Sequence, residues 1–362
     1  MEPDANPTER VDERDTMFAR MARSPRTSAY DDFYERRPEL READDRLRSL
    51  PVLCQPGGRH YDPAISPQAD AYFDAIGDIR PEPGRVLRAV AAIEEARENT
   101  DAWDGTAALK GLAHSLGAVA AGCAAVDPAF VYTHKGRLDE DYGRPVTLDH
   151  PSALVFLVEM AYDAMRRAPE APVIRESARQ YYRAAVIGKT IAAVLHQLGY
   201  AAKPHYDAHY DVILPPLAVR AGLGELGRNN LLVADRYGSR VRIGAVTTDF
   251  PLTRDAPVSL GVREFCRVCR KCADNCPPRA LSDGEPVQVR GVCKWPTRVE
   301  QCYGYWRHMG TDCGICMAGC PFSHRDTWFH GAVRRTLRRM PWLARLAVLG
   351  DDLVYGRHWP AR

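Results

Sequence analysis

The chain contains no hydrophobic run long enough to cross a bilayer. Its apolar stretches all fall short of the roughly 18 to 20 residues that a membrane-spanning helix needs. The N-terminus lacks the features of a secretory signal peptide, and Arg36-Arg37-Pro38 is not followed by the apolar segment of a twin-arginine export signal. The sequence therefore predicts a cytoplasmic protein with no membrane span.

Neither sign of charge is in excess. The chain carries 49 Lys and Arg residues against 47 Asp and Glu residues, which gives a formal net charge of +2. Proteins that bind nucleic acid through its backbone need a surplus of Lys and Arg to neutralise phosphates, so this balance argues against a nucleic-acid partner. With 362 residues, of which 45% are hydrophobic, the chain is long enough for a globular protein of about two domains.

Cysteine, in contrast, is abundant and clustered. The run that starts at Cys266 reads C-x2-C-x2-C-x3-C-P, and it is followed by Cys302 and by a C-x2-C-x3-C-P run that starts at Cys313. In bacterial ferredoxins, three closely spaced thiolates of such a run hold one [4Fe-4S] cluster and the fourth reaches a second cluster. The pattern predicts two [4Fe-4S] clusters, the first held by Cys266, Cys269, Cys272 and Cys320 and the second by Cys276, Cys302, Cys313 and Cys316.

Two other uses of these cysteines fit the pattern less well. Zinc sites favour pairs of C-x2-C units without a third cysteine two residues on or a proline after the fourth. Disulfides are disfavoured because adjacent C-x2-C pairs make poor structural bridges and nothing directs the chain to an oxidising compartment. The remaining Cys54, Cys123 and Cys293 are predicted to be buried small hydrophobic residues or incidental thiols.

The rest of the chain predicts a body of helices and strands before the cysteines. Helical patterns cover residues 28–50, 85–127, 152–165 and 173–198, residues 51–83 have the composition of irregular coil, and residues 229–235 and 240–248 have that of strands. We predict four regions: an N-terminal arm and coil wrapping the core (1–84), an α/β core (85–258), a double-cluster domain (259–325) and a basic helical tail (326–362). The tail's arginines predict either a solvated helix face or a docking site for an acidic electron donor.

A glycine-rich turn lies in the middle of the chain. Gly222, Gly224 and Gly227 match the G-x-G-x-x-G of dinucleotide-binding proteins, but that fingerprint needs a strand before it and a helix after it. Here an apolar run leads in and a strand-like segment leads out. We therefore predict a tight turn that lines a cofactor, with Arg228 beside it, because glycine lets backbone approach a large ligand closely.

Several short motifs together resemble a known family. They are His150-Pro-Ser-Ala, Gln197-Leu-Gly-Tyr200, the segments 221–228, 237–243 and 247–252, and Asp312-Cys-Gly-Ile-Cys-Met-Ala-Gly-Cys-Pro-Phe-Ser323. From about residue 30 to residue 325 the chain resembles the corrinoid and iron-sulfur reductive dehalogenases. The epoxyqueuosine reductases, which act on tRNA, share the same outline.

The resemblance implies an α/β fold with a nitroreductase-like, cobalamin-binding core followed by a ferredoxin-like double [4Fe-4S] domain. In the family, reduced cobalamin attacks or reduces the substrate, electrons arrive through the clusters, and a tyrosine held by a basic residue delivers the proton. By position, the tyrosine is Tyr181 or its neighbour Tyr182, and the basic residue is Arg242 or Arg240.

The resemblance also bears on the cobalt ligand and on the substrate. Asp207-Ala-His209 matches the start of the D-x-H-x-x-G motif that offers histidine to cobalt in some corrinoid proteins, but Val212 replaces its glycine. Base-off cobalamin without that histidine is therefore expected. His209 stands where respiratory members place an asparagine near the substrate, and Asp207 is the candidate for the aspartate of the epoxyqueuosine branch.

These expectations lead to one preferred function and two alternatives. The preferred function is the replacement of halide by hydrogen on a small organohalide, expected to be aromatic, with electrons from an external donor such as ferredoxin or flavodoxin. The first alternative is a corrinoid reductase of a non-halogenated substrate such as an epoxyqueuosine-type tRNA base. The second is a plain electron carrier, which would leave the long body before the cysteines without a use.

Overall fold

The computed structural model describes residues 9–98 and 104–359. Its strands are β1 (Ala120–Ala125), β2 (Ser152–Glu159), β3 (Ala202–His205), β4 (Glu225–Leu226), β5 (Leu232–Val233), β6 (Val241–Thr248), β7 (Val287–Val289) and β8 (Val292–Lys294). Its helices are α1 (Met17–Ala22), α2 (Ser28–Arg36), α3 (Arg41–Arg48), α4 (Ser66–Ala75), α5 (Pro83–Glu98), α6 (Gly105–Ser115), α7 (Tyr162–Met165), α8 (Ala171–Gln197), α9 (Leu214–Arg220), α10 (Val262–Cys269), α11 (Lys271–Asp274), α12 (Val299–Met309), α13 (Ile315–Ala318), α14 (Trp328–Arg339) and α15 (Ala344–Tyr355).

A four-stranded sheet in the order β1-β2-β6-β3 forms the centre of the fold, and each neighbouring pair is antiparallel. The central strand β2 is apolar on both faces. Leu154, Phe156 and Val158 pack against α5, α6 and α8, whereas Val155 and Leu157 pack against α9 and the loops on the other side. The chain therefore has a mixed helix and sheet fold with a core on each face of the sheet.

Two helix predictions were wrong at this sheet. The segment 152–165 is strand β2 followed by the single turn α7, and the helix predicted up to residue 127 gives way to β1 after α6 ends at Ser115. The periodicity of a short, fully apolar run does not distinguish a strand buried on both faces from a buried helix. The β-branched and aromatic residues of β2 favour the strand.

The long helix α8 lies across the sheet and confirms the helix predicted over 173–198. Ile187, Ile191 and Val194 face the sheet and are fully buried, which stabilises the fold by about 1.5–3 kcal/mol for each side chain. The helix stops before Gly199, whose φ of 86° is readily adopted only by a residue without a side chain. Its middle section carries both candidate tyrosines.

The N-terminal region is more helical than predicted. Pro38 divides the helix expected over 28–50 into α2 and α3. The coil expected over 51–83 contains α4, so that prediction was wrong: Pro67 lies in the first turn of this helix, where proline is tolerated and does not break it. Helix α4 packs against α8 and covers the tyrosines.

The N-terminal region also holds the segment before Cys313. The backbone amides of Cys54, Arg59 and His60 donate hydrogen bonds to the carbonyls of residues 308–310, with N···O distances of 2.8 to 3.2 Å. At the crossing, Gly58 lies so close to Gly310 that an added Cβ would sit 2.4 Å from the Gly310 Cα. The N-terminal arm is thus joined to the cysteine region by backbone hydrogen bonds, and the two backbones lie too close at Gly58 for a side chain there.

The C-terminal helices cover the other side of the cysteine region. Leu337 of α14 and Ala344 and Val348 of α15 pack in one buried cluster with Cys266 and Cys269. Among the described residues, no helix is both long and apolar enough to span a membrane. The four region boundaries given above stay predictions.

Candidate active site and cluster-binding cysteines

The cysteines between 266 and 320 form two groups. In the first, which we call cysteine group 1, Cys272 interacts electrostatically with Cys266, Cys269 and Cys320. In the second, cysteine group 2, Cys316 interacts with Cys276, Cys302 and Cys313. Cys316 also interacts with Cys320, so the two groups are adjacent. The structure therefore brings together the same two sets of four that the crossed pairing pattern predicts, while their role as ligands stays a prediction.

The donor chemistry of both groups fits an iron-sulfur cluster. Burial raises the pKa of Cys269 and of Cys313 to about 12 and that of Cys302 to about 11, and neighbouring cysteines add to the rise. Buried thiols placed side by side need a cation to ionise, and cluster iron supplies it. No group of three or more His, Cys, Asp or Glu residues in the described ranges is arranged to hold a single metal ion.

Backbone amides support the same use. The amide of Arg228 donates a hydrogen bond to Cys266 Sγ at 3.5 Å, and that of Ala280 donates one to Cys276 Sγ at 3.3 Å. Hydrogen bonds to the sulfurs are one means by which proteins adjust cluster potentials. Cys54 and Cys123 are buried away from both groups in cores of their own, and Cys293 lies on β8.

Tyr181 and Arg242 meet between helix α8 and strand β6. The Arg242 guanidinium carbon lies 4.7 Å from the centroid of the Tyr181 ring, and Phe73 of α4 closes another side with a ring distance of 6.3 Å. Tyr181 is only half-buried, so part of its side chain is left uncovered by these neighbours. The arrangement places the aromatic ring of a phenol next to a cation.

Arg242 also connects Tyr181 to cysteine group 2. Its Nη2 donates hydrogen bonds to Ser177 Oγ at 2.7 Å and to Asp312 Oδ2 at 3.1 Å, and the Ser177 hydroxyl donates to the same carboxylate oxygen. Asp312 directly precedes Cys313 in the chain. Arg242 Nε and Asp312 Oδ1 are buried and have no hydrogen-bond partner among the described residues.

Burial raises the pKa of the Tyr181 phenol above its ordinary value. The charges of Arg242 and Arg137 oppose the rise, and those of Asp207 and Asp312 add to it. Burial likewise raises the pKa of Asp312, against the effect of Arg242. Tyr181 therefore keeps its proton at neutral pH, and Arg242 is positioned to stabilise the phenolate once that proton leaves.

Sequence reasoning missed part of this site. Arg137 forms a hydrogen bond with Tyr210 and interacts electrostatically with Tyr181 and Asp207. Of these, only Tyr181 and Asp207 were singled out from the sequence. Nothing in the local pattern around Arg137 indicates a site, because it comes from a loop that reaches α8 only in the folded chain. Asp312 could have been predicted from the sequence, because it immediately precedes the Cys313 motif.

The alternative residues lie elsewhere. The Tyr182 ring packs on Tyr72 of α4 with centroids 5.7 Å apart. Arg240 is buried and donates hydrogen bonds to the Ser323 carbonyl at 2.7 Å and to Glu159 Oε1 at 2.9 Å, so it ties β6 to the cysteine region. His209 stacks on Tyr206 at 4.9 Å, and its Nδ1 is 3.1 Å from the carbonyl of Asp207 in its own tight turn.

The glycine-rich turn has a structural explanation of its own. Helix α9 precedes it, the two-residue strand β4 lies within it between Gly224 and Gly227, and strand β5 follows it, so it lacks the leading strand and following helix of the dinucleotide fingerprint. A Cβ on Gly222 would lie 2.5 Å from the Ala256 carbonyl oxygen, and one on Gly224 would lie 2.4 Å from that of Val233. These glycines are needed for close backbone packing, and whether they also line a cofactor stays a prediction.

Arg228, predicted to bind a cofactor, lies against the cysteine region. It is buried, its guanidinium stacks over Trp295 at 4.8 Å, and its Nε donates to the Cys266 carbonyl at 3.0 Å. Its Nη1 donates to the carbonyls of Ser282 and Gly284, both at 2.9 Å. The side chain therefore orders the loops around cysteine group 1.

A surface cavity of about 520 Å³ lies at the other end of the sheet. It is lined by His150, Lys203 and Asp249 among others. Thr248, at this end of β6, is six residues from Arg242, which is about 20 Å along a strand. This cavity is therefore separate from the surround of Tyr181.

Comparisons with known proteins show what the whole chain is similar to. No protein-family profile matches the chain. The tetrachloroethene reductive dehalogenase of Desulfitobacterium hafniense is 36% identical over 233 residues, which are 61% of this chain and 42% of that protein. A solved reductive dehalogenase, described in connection with B12-dependent dehalogenation, superposes with a TM-score of 0.72 at 26% identity, covering 97% of this chain and 47% of the other. The chain is a homologue of the reductive dehalogenases.

Two further comparisons define how far the likeness extends. The catabolic reductive dehalogenase NpRdhA in complex with 3-bromo-4-hydroxybenzoic acid gives a TM-score of 0.71 at 25% identity, again over 97% of this chain and 47% of that one. The epoxyqueuosine reductase of Lactococcus garvieae is 32% identical over 150 residues, 38% of each chain. The present reductive dehalogenase homologue thus spans less than half the length of each of these proteins.

Proposed function

We propose that this chain carries the catalytic centre of a cobalamin-dependent reductive dehalogenase. The observation that supports the proposal is the connection from Tyr181 through Arg242 and Asp312 to Cys313, because a proton donor and an electron-delivering group would then be neighbours. The reaction consumes two electrons and one proton: the carbon-halogen bond breaks, halide leaves with its electron pair, and a carbon-hydrogen bond forms. The reductive dehalogenases named above are described as enzymes of this reaction.

The residues around Tyr181 fit a large redox cofactor beside cysteine group 2. Tyr181 is only half-buried, and Arg137, Asp207 and Arg242 supply charged, hydrogen-bonding groups around it. Cobalamin, when bound, supplies a strong two-electron reductant for the carbon-halogen bond. It would bind base-off, as the resemblance implies, and without His209 as a ligand, because His209 is engaged in its own turn.

In this proposal, residues of the chain donate the proton and hold the clusters that carry the electrons. The Tyr181 hydroxyl gives its proton to the carbon that loses halide, and the phenolate left behind is stabilised by Arg242. Each cysteine group would hold a [4Fe-4S] cluster, which would supply one-electron redox chemistry between the site and an external donor such as ferredoxin or flavodoxin. The side chains of Phe73 and Tyr181 suit an aromatic organohalide, and the similar protein NpRdhA has been solved in complex with a brominated hydroxybenzoic acid. The cytoplasmic location stays a prediction from the sequence.

A second candidate is a reductase of a non-halogenated substrate of the epoxyqueuosine type. Asp207 favours it, because an acidic side chain interacts with both Tyr181 and Arg137 in this site. The overall charge balance argues against it, since a tRNA partner requires a cationic surface.

The test is anaerobic reconstitution with iron, sulfide and cobalamin, followed by turnover with chemically reduced methyl viologen. We expect the absorbance of iron-sulfur clusters and of bound cobalamin, and halide release from tetrachloroethene or from 3-bromo-4-hydroxybenzoic acid. Failure to bind cobalamin, or binding without halide release from a broad organohalide panel, would contradict the proposal. Reduction of epoxyqueuosine in a tRNA stem-loop would support the second candidate.

A further inference from the structure

The two C-terminal helices expose an unusual amount of apolar surface. Of the fifteen large apolar side chains that the described residues expose, nine lie between 328 and 355. Trp328 is 83% exposed, Trp342 74% and Leu353 88%. Apolar side chains concentrated in one part of a surface mark an interaction site more often than scattered ones do.

Helix α15 is apolar on two opposite faces. Ala344 and Val348 point inward and are buried. Leu346, Leu349 and Leu353 are exposed and follow each other at intervals of three and four residues, which aligns them along one side of α15, and the exposed Trp342 lies in the 3-10 turn just before the helix. The inward face already satisfies the need for burial, so the outer stripe, which we call the C-terminal face, is available to a partner.

The exposed charged side chains that α14 and α15 themselves contribute are all arginines, one of which, Arg338, pairs with Asp235. Arg335, Arg339 and Arg345 are exposed and form no ion pair within the described ranges. The two acidic residues of α14 and α15, Asp351 and Asp352, are turned inward, where both form ion pairs with Lys271. The face therefore presents apolar and cationic groups to the outside and suits a partner with an acidic rim.

The same helix lies directly over cysteine group 1. Ala344 and Val348 share a buried cluster with Cys266 and Cys269, and Lys271, bound to Asp351, stands between Cys269 and Cys272 in the chain. Only the thickness of one helix, about 10 Å, separates the outer face from these cysteines. A protein bound to this face would stand close to cysteine group 1.

We propose that the C-terminal face docks the electron donor, a small acidic electron-transfer protein, and that electrons enter the chain through cysteine group 1. The need for a donor rests on the proposed function, while the docking itself rests on the surface. A weak contact of small area is typical of electron-transfer partners, and acidic side chains on the donor would speed the encounter. An anionic membrane would use the same side chains, but it would not account for their position over cysteine group 1.

The test uses the full chain reconstituted with iron, sulfide and cobalamin, and a reduced acidic plant-type ferredoxin as the donor. Arg345→Glu combined with Leu349→Glu reverses one charge and interrupts the stripe. We expect ferredoxin-driven turnover to fall at least tenfold at subsaturating ferredoxin, while turnover with reduced methyl viologen stays within twofold of wild type. The matched control, Leu87→Glu with Arg88→Glu on the exposed side of α5, should leave both rates unchanged.

Three further results would overturn the docking proposal. Equal ferredoxin-driven rates in the wild type and in the variant at Arg345 and Leu349 would exclude this face. Flotation of the wild type, but not of that variant, with vesicles of phosphatidylcholine and phosphatidylserine, at unchanged ferredoxin kinetics, would assign it to a membrane. If sedimentation shows a dimer in the wild type that is lost in the variant, while the ferredoxin kinetics stay unchanged, the C-terminal face binds a second copy of the chain. If the wild type shows no dehalogenation with either donor, the proposed function fails, and calorimetric binding of the ferredoxin to both forms still decides the docking.

Discussion

The Arg242 guanidinium lies over the ring of Tyr181 at 4.7 Å, and it does not hydrogen-bond to the phenol oxygen. Its Nη2 instead donates hydrogen bonds to Ser177 and Asp312. Arg242 therefore acts on Tyr181 through its charge, while its own orientation is fixed from the side of the cysteines. Because Arg242 contacts Tyr181 whereas Tyr182 packs on Tyr72, substitutions of the two tyrosines should have different effects.

Tyr181→Phe should retain iron and cobalamin and lower turnover by about 10²-fold or more, the usual scale for loss of a general acid. The substitution removes one oxygen and keeps the ring that packs on Phe73. Tyr182→Phe is the matched control, because Tyr182 packs on Tyr72 and not on Arg242. Halide release measures both. Full activity in Tyr181→Phe would rule out this proton donor.

Asp312→Asn should move the alkaline limb of the pH–rate profile to lower pH. The Asp312 charge adds to the raised pKa of Tyr181, so its removal leaves Arg242 unopposed and makes the phenol a stronger acid. Turnover then declines at a lower pH because the donor loses its proton earlier. Ser177→Ala, which keeps the charge, should leave the limb in place. An upward shift in Asp312→Asn would contradict this view of the site.

Reconstituted protein should contain about eight iron atoms per chain. Cys320→Ser removes a member of group 1 and Cys302→Ser a member of group 2, so each should lose up to about four. Serine at Cys54, Cys123 or Cys293 should leave the iron content unchanged, because these residues lie outside both groups. Iron and acid-labile sulfide analysis measures the outcome. About two zinc atoms and no sulfide would refute the cluster assignment.

Cobalamin bound to this chain should show no protein nitrogen on cobalt. His209 is held in a tight turn by the Asp207 carbonyl and by stacking on Tyr206. Paramagnetic resonance of the Co(II) form should therefore lack nitrogen hyperfine splitting. A splitting that disappears in His209→Ala would show that the turn opens and that His209 binds cobalt, contrary to this prediction.

His205 should make the fold sensitive to acid. Burial lowers the pKa of this histidine to about 3, and the neutral ring accepts a hydrogen bond from the Asp211 amide and donates one to Thr247 Oγ1. The unfolded chain binds a proton near pH 6.5 and the folded chain does not, so stability present above about pH 6.5 is lost as the pH falls toward the folded value.

Between about pH 6.5 and about pH 5.5 this term amounts to about 1 kcal/mol. His205→Gln lacks the titration, so the free energy of unfolding of the wild type should decrease by about that much more than that of the variant. Denaturant titrations of both proteins at the two pH values measure the difference. Equal pH dependence in both would show that His205 is not the responsible group.

The sequence was most informative where spacing alone defines the chemistry. The C-x2-C runs predicted both cysteine groups, and the 3.6-residue periodicity of 173–198 predicted α8 and with it Tyr181. It was least informative where long-range contacts decide. The apolar run of β2 becomes a strand only because helices cover both faces, and Arg137 joins Tyr181 only after a loop folds back on α8. The choice of Arg242 over Arg240 also required the structure, because residues two apart fall on the same side of a regular strand. Arg240 lies just before β6 and binds Ser323 and Glu159, whereas Arg242 lies on β6 against Tyr181.

The hydrogen bonds between residues 54–60 and residues 308–310 also place a constraint on biosynthesis. The two segments lie about 250 positions apart, and at about 5 to 20 residues per second a ribosome needs roughly 10 to 50 seconds to make the second after the first. During that time residues 54–60 lack these backbone partners, so this contact forms only after the cysteine region has been synthesised. Folding of the arm is thus completed by one of the last segments of the chain to be made, immediately before Cys313.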